Sequence, residues 1–283
     1  MKYAYFPGCS LKSSGRAFEE SMLKLFAHLE IELEELDDWN CCGATAYMSV
    51  DETSAAALAA RNLALAEKMA LPLAVPCAGC YGVLRKSAHL QKDYPAIQKQ
   101  VKDGLTAIGL SYTGAQEIKH PLQILAQDLG PKAMRSKVKK PLKGLKVACY
   151  YGCKLVRPEA PFDNQHDPQT METLLKGVGA RVVDFPMKTA CCGGSLTGTI
   201  PDVGLELSWA ILHDAHRREA DVIATACPLC QFNLECYQED IQEKHPDLKP
   251  IPVVYFTQLM GIAMGLSPED MALHRQVVPL TPI

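Results

Sequence analysis

Ten of the twelve cysteines fall into two matched sets, and they are the residues whose type and spacing speak most directly of chemistry. The first set reads Cys9-x31-Cys41-Cys42-x34-Cys77-x2-Cys80, the second Cys153-x37-Cys191-Cys192-x34-Cys227-x2-Cys230. Cys41, Cys42, Cys77 and Cys80 recur 150 residues later, whereas Cys9 recurs after 144, so six extra residues precede the second Cys-Cys pair. A Cys-x-x-Cys turn presents two thiolates on one side of a loop, close enough to share a metal site. Zinc, the plainer alternative, takes four ligands per ion, and each set offers five, one more than an ion or a simple four-cysteine cluster uses. Adjacent cysteines also diverge unless the backbone turns sharply, and Gly43 and Gly193-Gly194 permit that turn because glycine accepts a positive φ. An extended multi-iron centre can use both thiolates of the pair on different irons, a role that structural binding of a lone ion leaves empty. Glycines beside the ligands also let backbone N–H groups approach the sulfurs, which favours a reduced, more negative centre.

The segments that must position these thiols repeat as well. Tyr5-Phe6-Pro7-Gly8-Cys9 parallels Tyr150-Tyr151-Gly152-Cys153, each after a short β-prone run, Lys2 to Tyr5 and Val147 to Tyr150. A helical stretch (Ala17 to Leu29; Thr170 to Lys176) then runs into an extended one (Glu30 to Leu36; Arg181 to Phe185). After each Cys-Cys-Gly comes an Ala/Leu-rich segment with helical spacing (Ser54 to Met69; Val203 to Arg218). An apolar run (Leu71 to Val75; Asp221 to Ala226) leads into Cys-x-x-Cys, followed by expected helices over Tyr81 to Leu90 and Gln231 to Ile241. Alternating strand and helix predict an α/β fold of two pseudo-symmetric domains, each a mainly parallel sheet flanked by helices. The boundary is expected in the Lys/Pro-rich stretch Gly130 to Lys143, giving domains 1–138 and 139–283. The cysteines then sit where strands end and loops begin, the edge at which open α/β sheets gather ligands.

Composition limits the alternatives. With 283 residues, 48% hydrophobic, the chain can bury a real core without disulfide staples. The start, MKYAYFPGCS, lacks an export pattern, so a reducing cytoplasm is expected, where clustered cysteines bind metal or carry redox chemistry. Pro252 to Leu266, the most apolar stretch, is too short to cross a bilayer and reads as a core strand followed by a helix, so no direct membrane insertion is expected. Net charge is −3 and the one basic run, Lys132 to Lys146, has no interleaved aromatics, which argues against nucleic acid and for a solvated linker.

On these residues both halves resemble the CCG domain, whose signature is a distant cysteine, a Cys-Cys-Gly and a Cys-x-x-Cys. Two of them in one chain resemble the B subunit of heterodisulfide reductase, and the likeness runs from Cys9 to at least Cys230. It implies two non-cubane 4Fe-4S clusters, one on Cys9, Cys41, Cys42, Cys77 and Cys80, the other on Cys153, Cys191, Cys192, Cys227 and Cys230. It also implies an iron–sulfur catalytic subunit that reductively cleaves a disulfide-type substrate, small-molecule or protein-bound, between the two clusters. No ferredoxin-type run Cys-x2-Cys-x2-Cys-x3-Cys-Pro is present. Electrons are therefore expected from a ferredoxin-like C subunit fed by a flavin-containing A subunit, partners the resemblance supplies. The alternative is an electron-transfer CCG subunit of a lactate, glycolate or succinate type complex linked to quinone. No catalytic side chain is assigned beyond the cluster ligands.

The remaining candidates read more simply. Cys149 and Cys236 lie outside the pattern, in an expected strand and helix, and both read as buried structural thiols. His213 and His216 read as surface residues of a helix. Lys154 and Arg157-Pro158 place positive charge near the second set, where an anionic substrate could use it. Asp167 is placed to cap the helix that begins near Thr170, and Gly177-x-Gly179 to stop it, so no nucleotide loop is expected. Nothing points to a nicotinamide, flavin or ATP site, or to a hydrolytic Ser/His/Asp constellation.

Overall fold

The computed structural model describes residues 1–44, 47–158 and 161–280. Strands β1 (Lys2–Tyr5), β2 (Glu32–Glu35), β3 (Leu73–Ala74) and β4 (Ile118–Lys119) form one sheet in the order β2-β1-β3-β4. Strands β5 (Lys146–Tyr150), β6 (Arg181–Val182), β7 (Val222–Thr225) and β8 (Val253–Tyr255) repeat that order as β6-β5-β7-β8. Every pairing is parallel, so the expected mainly parallel sheets are parallel throughout. A buried parallel strand reads as an unbroken apolar run, and β7 (Val-Ile-Ala-Thr) is buried at every position.

The main helices are α1 (Arg16–His28), α2 (Glu52–Lys68), α3 (Ala78–Asp93), α4 (Pro95–Ala107), α5 (Thr170–Gly177), α6 (Pro201–Arg217), α7 (Pro228–Cys236) and α8 (Phe256–Ala263). Apolar residues on one stripe bury each of them; α1 uses Phe18, Met22, Leu25 and Phe26. Asp51 caps α2 by accepting the Ser54 N–H at 2.9 Å. Three expectations change. Helix α3 starts at Ala78 rather than Tyr81, because the Cys-x-x-Cys turn is itself the first helical turn. The segment Gln231 to Ile241 breaks at Tyr237, between α7 and a short helix Gln238–Lys244. Asp167 does not cap α5: the Asp163 carboxylate accepts the Gln169 and Thr170 N–H groups (2.9 and 2.7 Å), while Asp167 pairs with Lys188. Gly179, at φ +94, stops α5 as expected.

The strand order creates the site. The chain leaves β1 toward β2 on one side of the sheet and returns as β3 on the other, so β1 and β3 are neighbours whose following segments diverge. A crevice opens at such a switch point, outside the carboxyl ends of the strands. Cys9 follows β1 and Cys77 follows β3; Cys153 and Cys227 hold the same places after β5 and β7.

The two halves share one continuous apolar core. Helix α8 of the second packs on α1 of the first: Phe18 stacks on Tyr255 with centroids 4.5 Å apart and meets Phe256 edge-on at 5.9 Å. Such pairs add about 0.5–1.5 kcal/mol beyond their buried area. Beside them Ser21 Oγ and Thr257 Oγ1 share a buried hydrogen bond of 2.7 Å. The basic run keeps its lysines at the surface, but it is pinned rather than loose. Met134 and Leu142 are buried, and the Lys139 and Lys140 N–H groups both donate to Ala263 O at 2.9 Å. Among the described residues no helix is long and apolar enough to cross a membrane.

Helix α7, which starts at the second Cys-x-x-Cys, is anchored at its far end by a buried carboxyl group. Glu235 accepts from the Gln231 side chain and from the Val278 N–H at 3.4 Å. The Gln276 amide completes the set, its nitrogen 2.6 Å from Glu235 Oε1 and its oxygen accepting from Gln258 Nε2 at 3.1 Å. Burial pushes the Glu235 pKa from 4.5 up to about 8. The unfolded chain has lost this proton above about pH 4.5 while the folded chain keeps it to about 8. Stability from this group therefore falls as pH rises through that window and is level beyond it. Glu235→Gln should flatten the stability profile between those limits, by the order of a few kcal/mol at the upper end. Urea melts of both chains at several pH values read this, and parallel profiles would refute the assignment.

Candidate functional site

All twelve cysteines are free thiols, and the ten of the repeat collect at the carboxyl edges of the two sheets. In each half the Cys-Cys-Gly loop comes back over the Cys-x-x-Cys turn. Cys42 Sγ lies 3.1 Å from Cys80 Sγ, and Cys192 Sγ 3.5 Å from Cys230 Sγ. Gly43 (φ +79) and Gly193 (φ +91) adopt the left-handed turn the sequence requires of them. The distant cysteines bear on the pairs: Cys9 on Cys41 and Cys42, and Cys153 on Cys191. Cys9, Cys41 and Cys191 face solvent, Cys153 is half-buried, and the other six are buried.

Cys77 and Cys227 stand at the N-caps of α3 and α7, where the backbone N–H groups of Cys80 and Cys230, in the first turns, favour the thiolates of Cys77 and Cys227. Gly8 and Gly152, both at positive φ, leave the space the Cys80 and Cys230 sulfurs occupy. A Cβ on Gly8 would stand 2.9 Å from Cys80 Sγ, and one on Gly152 2.8 Å from Cys230 Sγ.

The two sets meet. Cys77 and Cys227, both buried, face each other across the seam between the halves closely enough that each perturbs the other's thiol, Cys77 downward and Cys227 upward. His120, fully buried, ties the seam with one ring nitrogen. Its Nε2 donates to Pro76 O at 2.8 Å and to Ala226 O at 3.2 Å, the carbonyls directly before Cys77 and Cys227. Its Nδ1 accepts the Leu122 N–H at 3.1 Å, which fixes the tautomer. Burial pushes the imidazole pKa down to about 4, so it is a neutral donor at physiological pH.

Crowding splits the thiol pKa values. The hydrogen bond between them pushes Cys42 down and Cys80 up, burial adding to the second; Cys192 and Cys230 divide in the same way. The neighbouring Cys153 thiol pulls Cys191 down to about 6, helped by the Gly193 N–H and by the charges of Lys154 and Arg157. Among the described residues no three His, Cys, Asp or Glu side chains gather as they would about a single metal ion. The thiols are grouped in pairs and chains of pairs instead.

Supporting residues invisible in the cysteine pattern hold the second set. Lys188 O accepts the N–H groups of Tyr151 (2.8 Å) and Gly152 (3.1 Å), tying the Cys153 loop to the segment before Cys191. The Lys188 ammonium is buried on Glu172 (2.8 Å), which also accepts the Tyr151 hydroxyl. Asn233, buried in α7, donates to Cys192 O (3.0 Å) and Gly194 O (2.8 Å), with Cys192 Sγ at 3.7 Å. His120 is the functional residue with the least signal in the sequence. It holds the place of Tyr255, since β3 pairs with β4 as β7 does with β8, but a longer spacer hides the match.

The residues outside the pattern divide. Cys149 is buried in β5, as expected, and burial pushes its thiol well up. Cys236 is exposed, not buried: it ends α7 in a cleft of about 190 Å³ lined also by Ser13, Arg16 and Arg275. His216 is exposed, whereas His213 is half-buried beside Trp209, with centroids 5.0 Å apart.

The family model for the cysteine-rich domain, CCG, matches residues 3–85 and 147–235. The chain is 36% identical to the 8-methylmenaquinol:fumarate reductase membrane anchor subunit of Wolinella succinogenes, covering 99% of this chain and 98% of that one. It is 32% identical to a protein of Archaeoglobus profundus described as like the B subunit of heterodisulfide reductase, over 96% of this chain and 93% of the relative. The B subunit of the ferredoxin/F420H2-dependent CoB-CoM heterodisulfide reductase of Methanosarcina acetivorans is 30% identical over 98% and 94%. A crystal structure of a hypothetical protein from Helicobacter pylori shares the fold, with a TM-score of 0.81 at 14% identity; it covers all of this chain, which spans 53% of that one.

His120→Ala should cost about 1–3 kcal/mol in a urea melt for each buried carbonyl left without its donor, and an unchanged midpoint would show that the seam does not depend on this strap. Gly152→Ala puts a side chain at φ +69 against Cys230 Sγ. It should cost at least the ~1–2 kcal/mol of a left-handed L-residue, and a melt within error of the parent would show that the sulfur has room to move.

Proposed function

The chain belongs to the cysteine-rich CCG domain family, with two copies of the domain, and on that premise we propose that it is the iron–sulfur subunit of a heterodisulfide reductase-like complex. Each half, 1–138 and 139–283, holds one centre. Cys9, Cys41, Cys42, Cys77 and Cys80 ligate the first; Cys153, Cys191, Cys192, Cys227 and Cys230 ligate the second. Five thiols apiece suit the non-cubane 4Fe-4S type.

The chemistry of the donor set fits such a group. Thiols this close cannot all ionise by themselves, as the opposed shifts of Cys42 and Cys80 register. A cationic core reverses that logic by deprotonating coordinated thiols outright. The space beside Gly8 and Gly152 is room for sulfur ligands that any side chain would take. When bound, each centre supplies one electron at a time, two being what a disulfide needs to part into two thiolates.

The observation that carries the reading is the fork of His120 Nε2, bonded at once to Pro76 O (2.8 Å) and Ala226 O (3.2 Å), which sets Cys77 and Cys227, the next residues, together at a buried seam. A two-electron reduction by one-electron centres needs that adjacency. Lys154 and Arg157 add positive charge beside Cys191, suited to an anionic disulfide. Electrons would come from a ferredoxin-like subunit and a flavin-containing one.

A second reading has its own support. The likeness to a quinol:fumarate reductase subunit extends over 99% of the chain. In that reading the same centres relay electrons between a quinol and a partner flavoprotein. Val50 and Ile200, at matching places after the two Cys-Cys-Gly loops, are 81% and 53% exposed and would contribute to a docking rim.

The chain purified without oxygen should contain iron and acid-labile sulfide, about four of each per half, and zinc without sulfide would refute both readings. Cys42→Ser should remove about half of the iron. The readings separate when the loaded chain is reduced and offered either a disulfide or a menaquinone analogue. Reoxidation by the disulfide with release of thiols supports the first, and reoxidation by the quinone alone supports the second.

A further inference from the structure

The repeat makes the two ligand sets alike in sulfur but not in what surrounds the sulfur. Counting from the shared cysteines, Lys154 stands where the first half has Ser10, and Arg157 where it has Ser13. Asn233 stands where the first half has Val83. Each substitution acts in one direction. Lys154 directly follows Cys153, and Arg157 reaches Thr189 Oγ1 (3.4 Å), two residues before Cys191, whereas Lys12 of the first half is already neutralised by Glu19 (2.7 Å) and Glu35 (2.9 Å). Asn233, fully buried, aims its amide N–H groups at the Cys192–Gly194 backbone and at Cys192 Sγ, 3.7 Å away. Val83 offers no donor at all to Cys42.

Resting on the reading that each half holds an iron–sulfur centre, we propose that Asn233, Lys154 and Arg157 make the second centre the more readily reduced of the two. Reduction adds negative charge to the cluster and its sulfurs. Donors and cations nearby stabilise that charge, and Val83, Ser10 and Ser13, at the matching places of the first half, supply neither the buried amide nor the two charges. The buried amide acts in a low dielectric and persists at high salt, whereas the exposed Lys154 and Arg157 are screened. The first electron from a one-electron, low-potential iron–sulfur donor therefore comes to rest in the second half, the donor being oxidised by one. The electron that follows fills the first half. The asymmetry gives the pair a direction, from Cys42 and Cys77 toward Cys227 and Cys192, across the seam that His120 ties.

The test is a potentiometric titration of the anaerobically loaded full chain, followed by electron paramagnetic resonance. The signal that Cys42→Ser removes is assigned to the first half, and the signal that Cys192→Ser removes to the second. Two one-electron steps are expected, the second half titrating at the higher potential. Lys154→Ser with Arg157→Ser should lower that step at low salt and leave the first-half step in place, and the charge-conserving Lys154→Arg with Arg157→Lys should restore it. Asn233→Val should change the reduced-to-oxidised ratio of the second centre at a fixed potential by about tenfold, roughly 59 mV for one electron, at low and high salt alike. Should Asn233→Val lose its second-half iron, the exposed double substitution, which leaves the core untouched, decides alone. Equal potentials, a first half that reduces earlier, or substitutions that move both steps together would overturn the inference while leaving two centres in being. Absence of iron and sulfide would instead overturn the reading beneath it.

Discussion

Crowded sulfur is the constraint on which this molecule is built. Thiolates within 3–4 Å of one another repel, and burial raises the cost of each charge. Cys42 beside Cys80 and Cys192 beside Cys230 are tolerable as free thiols only through unequal sharing of protons. The fold nevertheless brings them together, on rigid elements, twice. Strand ends supply the positions, helix N-termini supply the N–H groups, and glycines supply the absence of side chains where a sulfur must fit. The doubled parallel sheet places all of these at one edge, because only the carboxyl ends at a switch point bring the loops after β1 and β3, or after β5 and β7, side by side.

The seam answers a second demand. Two sites on separate domains would drift if only loops joined them, and the distance between them governs how quickly they exchange electrons. Here the stacking of Phe18 on Tyr255, the buried Ser21–Thr257 hydrogen bond and the forked donation from His120 hold the Cys-x-x-Cys turns in fixed relation. Of the three, His120 touches the ligand loops most directly. Its neutral state, set by burial, keeps an isolated cation out of the space between two thiol sets.

Pseudo-symmetry conceals differences of kind. The second half braces its loops with a buried Lys188–Glu172 pair and the Tyr151 hydroxyl, and lines its thiols with Asn233. The first half uses a buried Tyr5–Glu19 hydrogen bond with Lys12 on its exposed side, and has Val83 in the place of the amide. A duplicated motif retains what the metal chemistry demands and leaves the surroundings free to diverge, and that is where a sense of direction can enter.

Much of this was legible in the residues alone. The repeat, the five-cysteine sets, the α/β alternation and the parallel sheets followed from spacing, since a doubled period and a strand-then-Cys-x-x-Cys pattern have few other solutions. Cys149 in its strand and the strand-helix reading of Pro252 to Leu266 followed for the same reason. The sequence could not say that Asp163 rather than Asp167 would cap α5, or that Cys236 would face a cleft, because each depends on which way a loop returns. Above all it held no sign that His120, far along the chain from every cysteine, would tie together the carbonyls that precede Cys77 and Cys227. Local spacing determines what a segment can bind; which distant segments meet is decided by packing across the core, and only the tertiary structure carries that.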